Sequence, residues 1–108
     1  IGTLVFDEID VGISGRAAQK VAEKMAVISR SHQVISITHL PQIAAMADSH
    51  YLIEKSADEG KTVTRIVRLN DEKSTEEIAR LLGGVTITEA VMSNAREMKQ
   101  MAEKTKKY

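Results

Sequence analysis

The chain begins with a short apolar run that stops on two adjacent carboxylates. Residues Thr3 to Phe6 are apolar or β-branched, and Asp7 and Glu8 follow directly. A short hydrophobic run bounded by polar residues indicates a buried parallel strand, and open α/β sheets bind their ligands beyond the carboxyl ends of such strands. The simplest alternative is a strand that merely ends in polar residues.

Two acids at such an edge fit a site for a metal ion and a phosphate. One carboxylate can help to hold Mg²⁺ on the phosphates of a nucleotide, and the next can orient and deprotonate an attacking water. We therefore predict that Asp7 is the magnesium residue and that Glu8 is the catalytic base.

Composition narrows the class of protein. The 108 residues suffice for about one domain, and with only 3% aromatic residues the core must be largely aliphatic. The chain has no cysteine, which excludes disulfides and thiolate metal sites, and it has neither a signal-like segment nor a membrane-length apolar stretch. We expect a cytoplasmic protein without a membrane partner. Fifteen basic residues balance fifteen acidic ones, so net charge gives no argument for nucleic-acid binding.

The first half of the sequence predicts a strand–helix–strand unit. Apolar residues at three- and four-residue spacing indicate an amphipathic helix from about Gly15 to Arg30, with Ser14 as its N-cap. A second β-rich run, Gln33 to Thr38, follows. This order is most simply a parallel crossover, and both strands should then end at the same edge of the sheet. His39 should therefore lie beside Asp7 and Glu8.

The second half predicts further elements around this unit. We expect a short helix at residues 42–47, after Pro41, and an antiparallel hairpin of strands 50–54 and 62–69 that extends the sheet. Two further helices should begin at capping-box patterns. The first starts at Ser74 and ends at Gly83-Gly84, and the last starts after Thr86–Glu89 and reaches about Lys104. The basic residues from Arg96 onward fit a solvated helix end better than a DNA-binding patch. We place His32 and His50 on the surface.

Two sequence blocks, Phe6–Arg16 and Ile37–Ala44, carry a family resemblance. In this order and at this spacing they resemble the C-terminal part of the ATPase head in the RecN family of bacterial DNA repair proteins, which is related to SMC proteins and more distantly to ABC ATPases. The resemblance runs over nearly the whole chain and includes Leu81–Gly84. It implies an α/β fold, a fragment of a P-loop NTPase head with parallel strands, an antiparallel hairpin and C-terminal helices.

The resemblance also implies residue roles. Asp7 and Glu8 match the Walker B pair, in which Asp7 supports Mg²⁺ through water and Glu8 polarises the hydrolytic water. The segment from Asp10 to Ser14 matches the D-loop, which crosses a dimer interface to the opposite nucleotide, and His39 matches the switch histidine that contacts the γ-phosphate. The implied cofactors are ATP and Mg²⁺, and the implied partners are a second head in a homodimer and DNA.

Several family features are missing or altered. The chain has no complete Gly-x-x-x-x-Gly-Lys phosphate loop; Gly60-Lys61-Thr62 falls in the predicted hairpin turn. Leu82-Gly83-Gly84 follows the Walker B segment, whereas the similar ABC signature precedes it. Many relatives have an aspartate where this chain has Ser14. We therefore expect residues 1–108 to be the C-terminal portion of a larger head, with an N-terminal lobe that supplies the phosphate loop, and we expect the isolated fragment to be inactive.

Two other functions fit the same residues. Asp7-Glu8-Ile9-Asp10 matches the D-E-x-D form of helicase motif II, although no Ser-Ala-Thr-like motif follows soon after it. The chain could also be a non-catalytic interaction module in which the two acids are structural and the surface serves dimerisation.

Overall fold

The computed structural model describes residues 2–7, 15–84 and 86–106. The elements, in chain order, are β1 (Thr3–Asp7), α1 (Gly15–Ile28), β2 (Gln33–Ile37), α2 (Pro41–Met46), β3 (His50–Asp58), β4 (Lys61–Leu69), α3 (Asp71–Gly83) and α4 (Glu89–Lys106). This confirms the predicted fold class, an α/β arrangement with parallel strands, an antiparallel hairpin and C-terminal helices. Glu8, Asp10 and Ser14 lie outside the described residues.

Strands β1 and β2 form a parallel pair that runs from Thr3 opposite Gln33 to Asp7 opposite Ile37. Phe6 and Val34 pack into a core with α1 and α2. Alternate residues point to the opposite face of a strand, and there Val5 and Ile35 are 62% and 45% exposed. Parallel pairs are normally covered on both faces, so this pair has one covered face and one bare apolar face.

Helix α1 packs through small side chains at helical spacing. Ala18 and Ala22 are fully buried, and they let the helix approach its neighbours closely. The helix ends at Ile28, two residues before the predicted end, because its last turn tightens: the N–H of Arg30 donates to the carbonyl of Val27, and the Ser29 hydroxyl donates to the carbonyl of Ala26 at 2.7 Å.

The hairpin forms as predicted, but its place in the sheet differs from the prediction. Strands β3 and β4 pair antiparallel from His50 opposite Leu69 to Asp58 opposite Lys61, and Glu59 and Gly60 make the turn with φ of 49° and 77°. The pair is a separate two-stranded sheet, so the expectation that it extends the first sheet is wrong. A β-rich pattern fixes the local hairpin, whereas the sheet edge that it joins depends on tertiary packing.

Helix α3 starts earlier than its sequence pattern predicts. Asn70 is its N-cap and accepts a hydrogen bond from the N–H of Lys73 at 2.8 Å. Ser74, the predicted cap, lies one turn inside the helix and is buried. The local Ser-x-x-Glu pattern was therefore wrong as a start signal, because Asn at residue 70 caps equally well and Ser74 bonds elsewhere.

The end of α3 agrees with the sequence, whereas α4 is capped by Thr88 and not by Thr86, the cap that its sequence pattern predicts. Gly84 has a φ of 70° and ends α3, with its N–H bonded to the carbonyl of Arg80, as predicted for a helix stop. The Thr88 hydroxyl accepts a hydrogen bond from the N–H of Val91 at 3.2 Å and so caps α4. That helix reaches Lys106, slightly beyond the predicted end.

Two clusters of buried side chains share helix α2. Ile43 and Met46 pack into the core with α1 and the parallel pair. Ala44 and Ala45 pack into a second core with Ile78 of α3 and with residues of α4. The short helix that follows His39 therefore packs against other elements on two sides.

Ion pairs fasten the C-terminal helix to this body. The Lys99 ammonium contacts the Asp71 carboxylate at 2.6 Å, and that of Lys106 contacts Asp48 at 3.1 Å. The two lysine side chains are only 19% and 10% exposed. Both cations thus serve contacts within the chain.

Substitution Ile78→Ala should lower the free energy of unfolding by about 2 to 5 kcal/mol, because Ile78 is fully buried and its truncation leaves a cavity. The matched control is Ile66→Ala on the hairpin, where the side chain is 69% exposed and the cost should stay below about 1 kcal/mol. Urea unfolding measures both variants. Equal losses would contradict the assignment of the second core.

Candidate functional site

Asp7 and His39 lie at the carboxyl ends of two paired parallel strands. Asp7 is the last residue of β1 and lies opposite Ile37, the last residue of β2. His39 comes two residues after Ile37, and both side chains are exposed. The structure therefore brings the predicted magnesium residue and the predicted switch histidine to the same edge of the pair, while their chemical roles stay predictions.

The other predicted site residues, Glu8, Asp10 and Ser14, lie outside the described residues. Their place in the chain is between Asp7, at the end of β1, and Gly15, the first residue of α1.

The segment that carries His39 is tightly held. The Thr38 hydroxyl accepts a hydrogen bond from the N–H of Leu40 at 3.0 Å, and the carbonyl of Leu40 accepts the N–H groups of Ile43 and Ala44. Pro41 is the first residue of α2 and is buried, where its fixed φ suits a helix start. His39 thus sits at a rigid junction between strand and helix.

Asp7 is the part of the predicted magnesium site that the structure describes. Among the described residues, no group of three or more histidine, cysteine or acidic side chains could hold a metal by itself. Magnesium commonly binds through one or two carboxylates together with substrate phosphates and water. One exposed carboxylate at the end of a strand, Asp7, fits that requirement.

A cleft of about 770 Å³ has Thr38 and His39 in its lining and no residue of β1. Strands β2 and β3 both line it, and within the described residues neither pairs with the other. Several of its apolar side chains are at least two-fifths exposed: Ile35, Ile37, Tyr51, Ile53 and Ile66. The cleft therefore joins two unpaired strand edges to a large apolar surface.

A polar cluster at the far side of the cleft was missed by sequence reasoning. The ring Nδ1 of His50 lies 2.7 Å from the Ser74 hydroxyl, and Glu77, 8% exposed, is paired with Arg80. The prediction that His32 and His50 are surface residues is wrong, since both are half-buried. Ser74 and Glu77 on the inward face of an amphipathic helix were the signal, because buried polar groups need partners.

Burial shifts the pKa of this histidine. Desolvation lowers the pKa of His50, the Glu77 carboxylate opposes that shift, and the Lys99 ammonium adds to it. The ion pair with Glu77 raises the pKa of Arg80. The Lys99 ammonium lowers the pKa of Asp71, to which it donates a hydrogen bond.

Comparison with known proteins places the chain beside one group of relatives. No protein-family model matches it. It is 42% identical over 106 residues to the DNA repair protein RecN of Bacillus subtilis, a match that covers 98% of this chain and 18% of the relative. RecN of Halalkalibacterium halodurans is 45% identical over 106 residues, and RecN of Deinococcus radiodurans 46% over 96 residues. The resemblance to RecN is confirmed.

The RecN-like chain also resembles a solved structure. That structure comes from work on the ATP-driven dimerization and DNA-stimulated activation of SMC ATPases, and it aligns with a TM-score of 0.61 and 26% identity over 78% of this chain and 50% of the other. The fold is therefore that of an SMC-type head segment. The chain spans less than a fifth of the RecN proteins named above, with 17% to 19% of their length covered.

None of the helices in the described ranges has the length and apolar content needed to cross a membrane.

The folded protein should lose stability as the pH falls below about 6.5, in part through His50. Its pKa is lowered in the folded state, so below the unfolded histidine pKa of about 6.5 the unfolded chain takes up the proton more readily. The contribution is complete above that pH and declines towards the lower folded pKa. Urea unfolding at about pH 7.5 and 5.5 should show a weaker pH dependence for His50→Gln.

The control for this measurement is Ile66→Ala, an exposed substitution on the hairpin, which should retain the dependence of the natural sequence. An identical pH dependence in the natural chain and in His50→Gln would contradict the role of His50.

Proposed function

We propose that this chain is part of the ATPase head of a RecN-type DNA repair protein, to which it contributes the Walker B acids, the D-loop and the switch histidine. The observation that supports the proposal is that Asp7 and His39 lie at the same edge of a parallel strand pair in a chain with RecN-like sequence. The DNA repair function printed for those relatives supports the biological context.

The proposed roles follow from the chemistry of phosphoryl transfer, which depends mainly on positioning and electrostatic stabilisation. Asp7 would hold Mg²⁺ through water. Glu8 would orient the attacking water and accept its proton, and the His39 imidazole would contact the terminal phosphate and respond to its loss. Mg-ATP, when bound, would supply the phosphoanhydride bond and the phosphate charge with which these residues interact.

The rest of the head is proposed to be an N-terminal lobe of the same protein. The chain lacks a phosphate loop and spans only 18% of the Bacillus relative. The bare face of the β1–β2 pair and the cleft between β2 and β3 expose apolar side chains, and in the part of the chain that the structure describes β2 and β3 do not pair with each other. We propose that this lobe fills the cleft, covers that face and brings the phosphate loop to Asp7. This chain together with that lobe is called the complete protein below.

The proposed partners of the complete protein are a second head and DNA. The SMC ATPases of the similar structure are described as dimerising with ATP and as activated by DNA. By analogy, Asp10 to Ser14 would face the nucleotide of the opposite head, with Ser14 acting as a neutral side chain where many relatives have a carboxylate. The proposal places the protein in the bacterial cytoplasm, at the nucleoid.

For the 108 residues alone, a non-catalytic role is favoured by one observation, the missing phosphate cradle. The helicase alternative gains nothing from the comparisons, whose named matches are RecN proteins and an SMC ATPase.

The isolated chain should not bind Mg-ATP measurably, whereas the complete protein should. Calorimetric titration of both with Mg-ATP tests this. In the complete protein, Asp7→Asn should weaken the magnesium dependence of binding, since it removes the carboxylate charge. Asp58→Asn, at the hairpin tip, is the matched control and should leave binding unchanged. Tight binding by the isolated chain would contradict the need for a second lobe.

Substitution His39→Ala should lower ATP turnover by the complete protein about 100-fold, the usual cost of removing one group that stabilises the transition state. Lys61→Ala, at the exposed hairpin tip and outside the cleft lining, is the control and should retain turnover. A steady-state phosphate-release assay measures both. Full activity in His39→Ala would rule out the switch role.

A further inference from the structure

Three residues connect β2 to α2, and His39 is the middle one. Strand β2 ends at Ile37 and helix α2 begins at Pro41, so the chain changes from an extended to a helical path within this short connection. The His39 side chain is exposed and lines the cleft, whereas its neighbours Thr38 and Leu40 are half-buried. The way in which these two neighbours are held therefore sets the position of the imidazole.

Leu40 is held from the side of the helix. It precedes a proline, which restricts it to extended conformations, and its φ of −92° and ψ of 126° agree with that restriction. Its side chain packs against the first core, and its carbonyl accepts the N–H groups of Ile43 and Ala44. The chain that follows His39 thus has a fixed course into α2.

The Thr38 side chain bridges His39. Its hydroxyl accepts a hydrogen bond from the N–H of Leu40 at 3.0 Å, in half-buried surroundings. A threonine hydroxyl that bonds two residues along the chain forms a local turn, and here the residue inside that turn is His39. Because a buried N–H needs an acceptor, loss of the hydroxyl would let the peptide between His39 and Leu40 rotate towards another one, and the imidazole would move with it.

We propose that Thr38 is a positioning residue for ATP hydrolysis, whose hydroxyl holds the peptide after His39 in one orientation and so sets the distance from the imidazole to the terminal phosphate. This inference rests on the proposed function, in which His39 contacts that phosphate. Thr38 acts through His39 and not through a contact of its own with the nucleotide.

Hydrogen exchange in the complete protein tests the bond itself. Thr38→Val keeps the branched shape of the side chain and removes the acceptor, whereas Thr38→Ser keeps the hydroxyl. Exchange of residues 38–42, in which Pro41 has no N–H, should be about fivefold faster in Thr38→Val, the usual effect of one lost hydrogen bond. Thr38→Ser should exchange at nearly the natural rate. Exchange of residues 75–82 in α3 should stay unchanged in both variants, which checks that the fold is intact.

ATP turnover tests whether the bond positions His39. In the complete protein, Thr38→Val should lower kcat about tenfold, because a small displacement of a reacting group is costly, while KM changes little, and Thr38→Ser should retain kcat. The matched control is Thr62→Val, the same change at an exposed threonine near the hairpin tip and outside the cleft lining, which should retain kcat. In a His39→Ala background Thr38→Val should cause little further loss, since residues that act as one unit are non-additive.

Each contrary result has a separate meaning. Equal exchange in Thr38→Val and Thr38→Ser would overturn the bond. An unchanged kcat in Thr38→Val, or a loss that adds fully to that of His39→Ala, would overturn the positioning role even where exchange responds. Full turnover in His39→Ala would instead overturn the switch role in the proposed function, and the positioning role with it. If Thr38→Val does not fold, Thr38→Ala removes the same acceptor without an added methyl group and carries the same expectations.

Discussion

The parallel pairing of β1 with β2 is the constraint on which the rest of the structure depends. Its register sets Asp7 opposite Ile37 and so brings two segments about thirty residues apart in sequence to one edge. Without this pairing each strand would be a short apolar run, and Asp7 and His39 would not lie at a common edge. Packing of Phe6 and Val34 against α1 holds the register, because a slip by one residue would turn the buried side chains outward.

Helix α2 holds the segment that carries His39 in place at that edge. Only six residues long, it is buried on two sides by separate cores, and a helix of this length depends on such packing for its stability. His39 therefore directly precedes a segment that both halves of the chain hold in place. In contrast, the bare face of the strand pair and the open cleft leave apolar surface and strand edges exposed. Surfaces of this extent are usually covered. The packed helix α2 and the open cleft both adjoin His39 in the proposed nucleotide site.

Much of this arrangement follows from local sequence. The strand–helix–strand spacing predicts the parallel pair, and glycines at residues 60 and 84 predict a turn and a helix end, because their backbone angles disfavour other residues. Tertiary contacts decided the rest. The pattern of β3 and β4 is complete within the hairpin and says nothing about a neighbour for its edge. Ser74 resembles a cap in sequence, yet its hydroxyl bonds His50, a partner 24 residues away that no local pattern identifies.

The most direct test is ATP turnover by the complete protein in the presence of DNA, comparing the natural sequence with Glu8→Gln and measuring ATP binding on the same samples. Glutamine keeps the size of the side chain and cannot accept the proton of the attacking water. The account predicts that turnover falls by about 100-fold or more, in line with the loss of a general base, while ATP binding persists. Unchanged turnover would make the carboxylates structural and would favour an interaction module over an ATPase head.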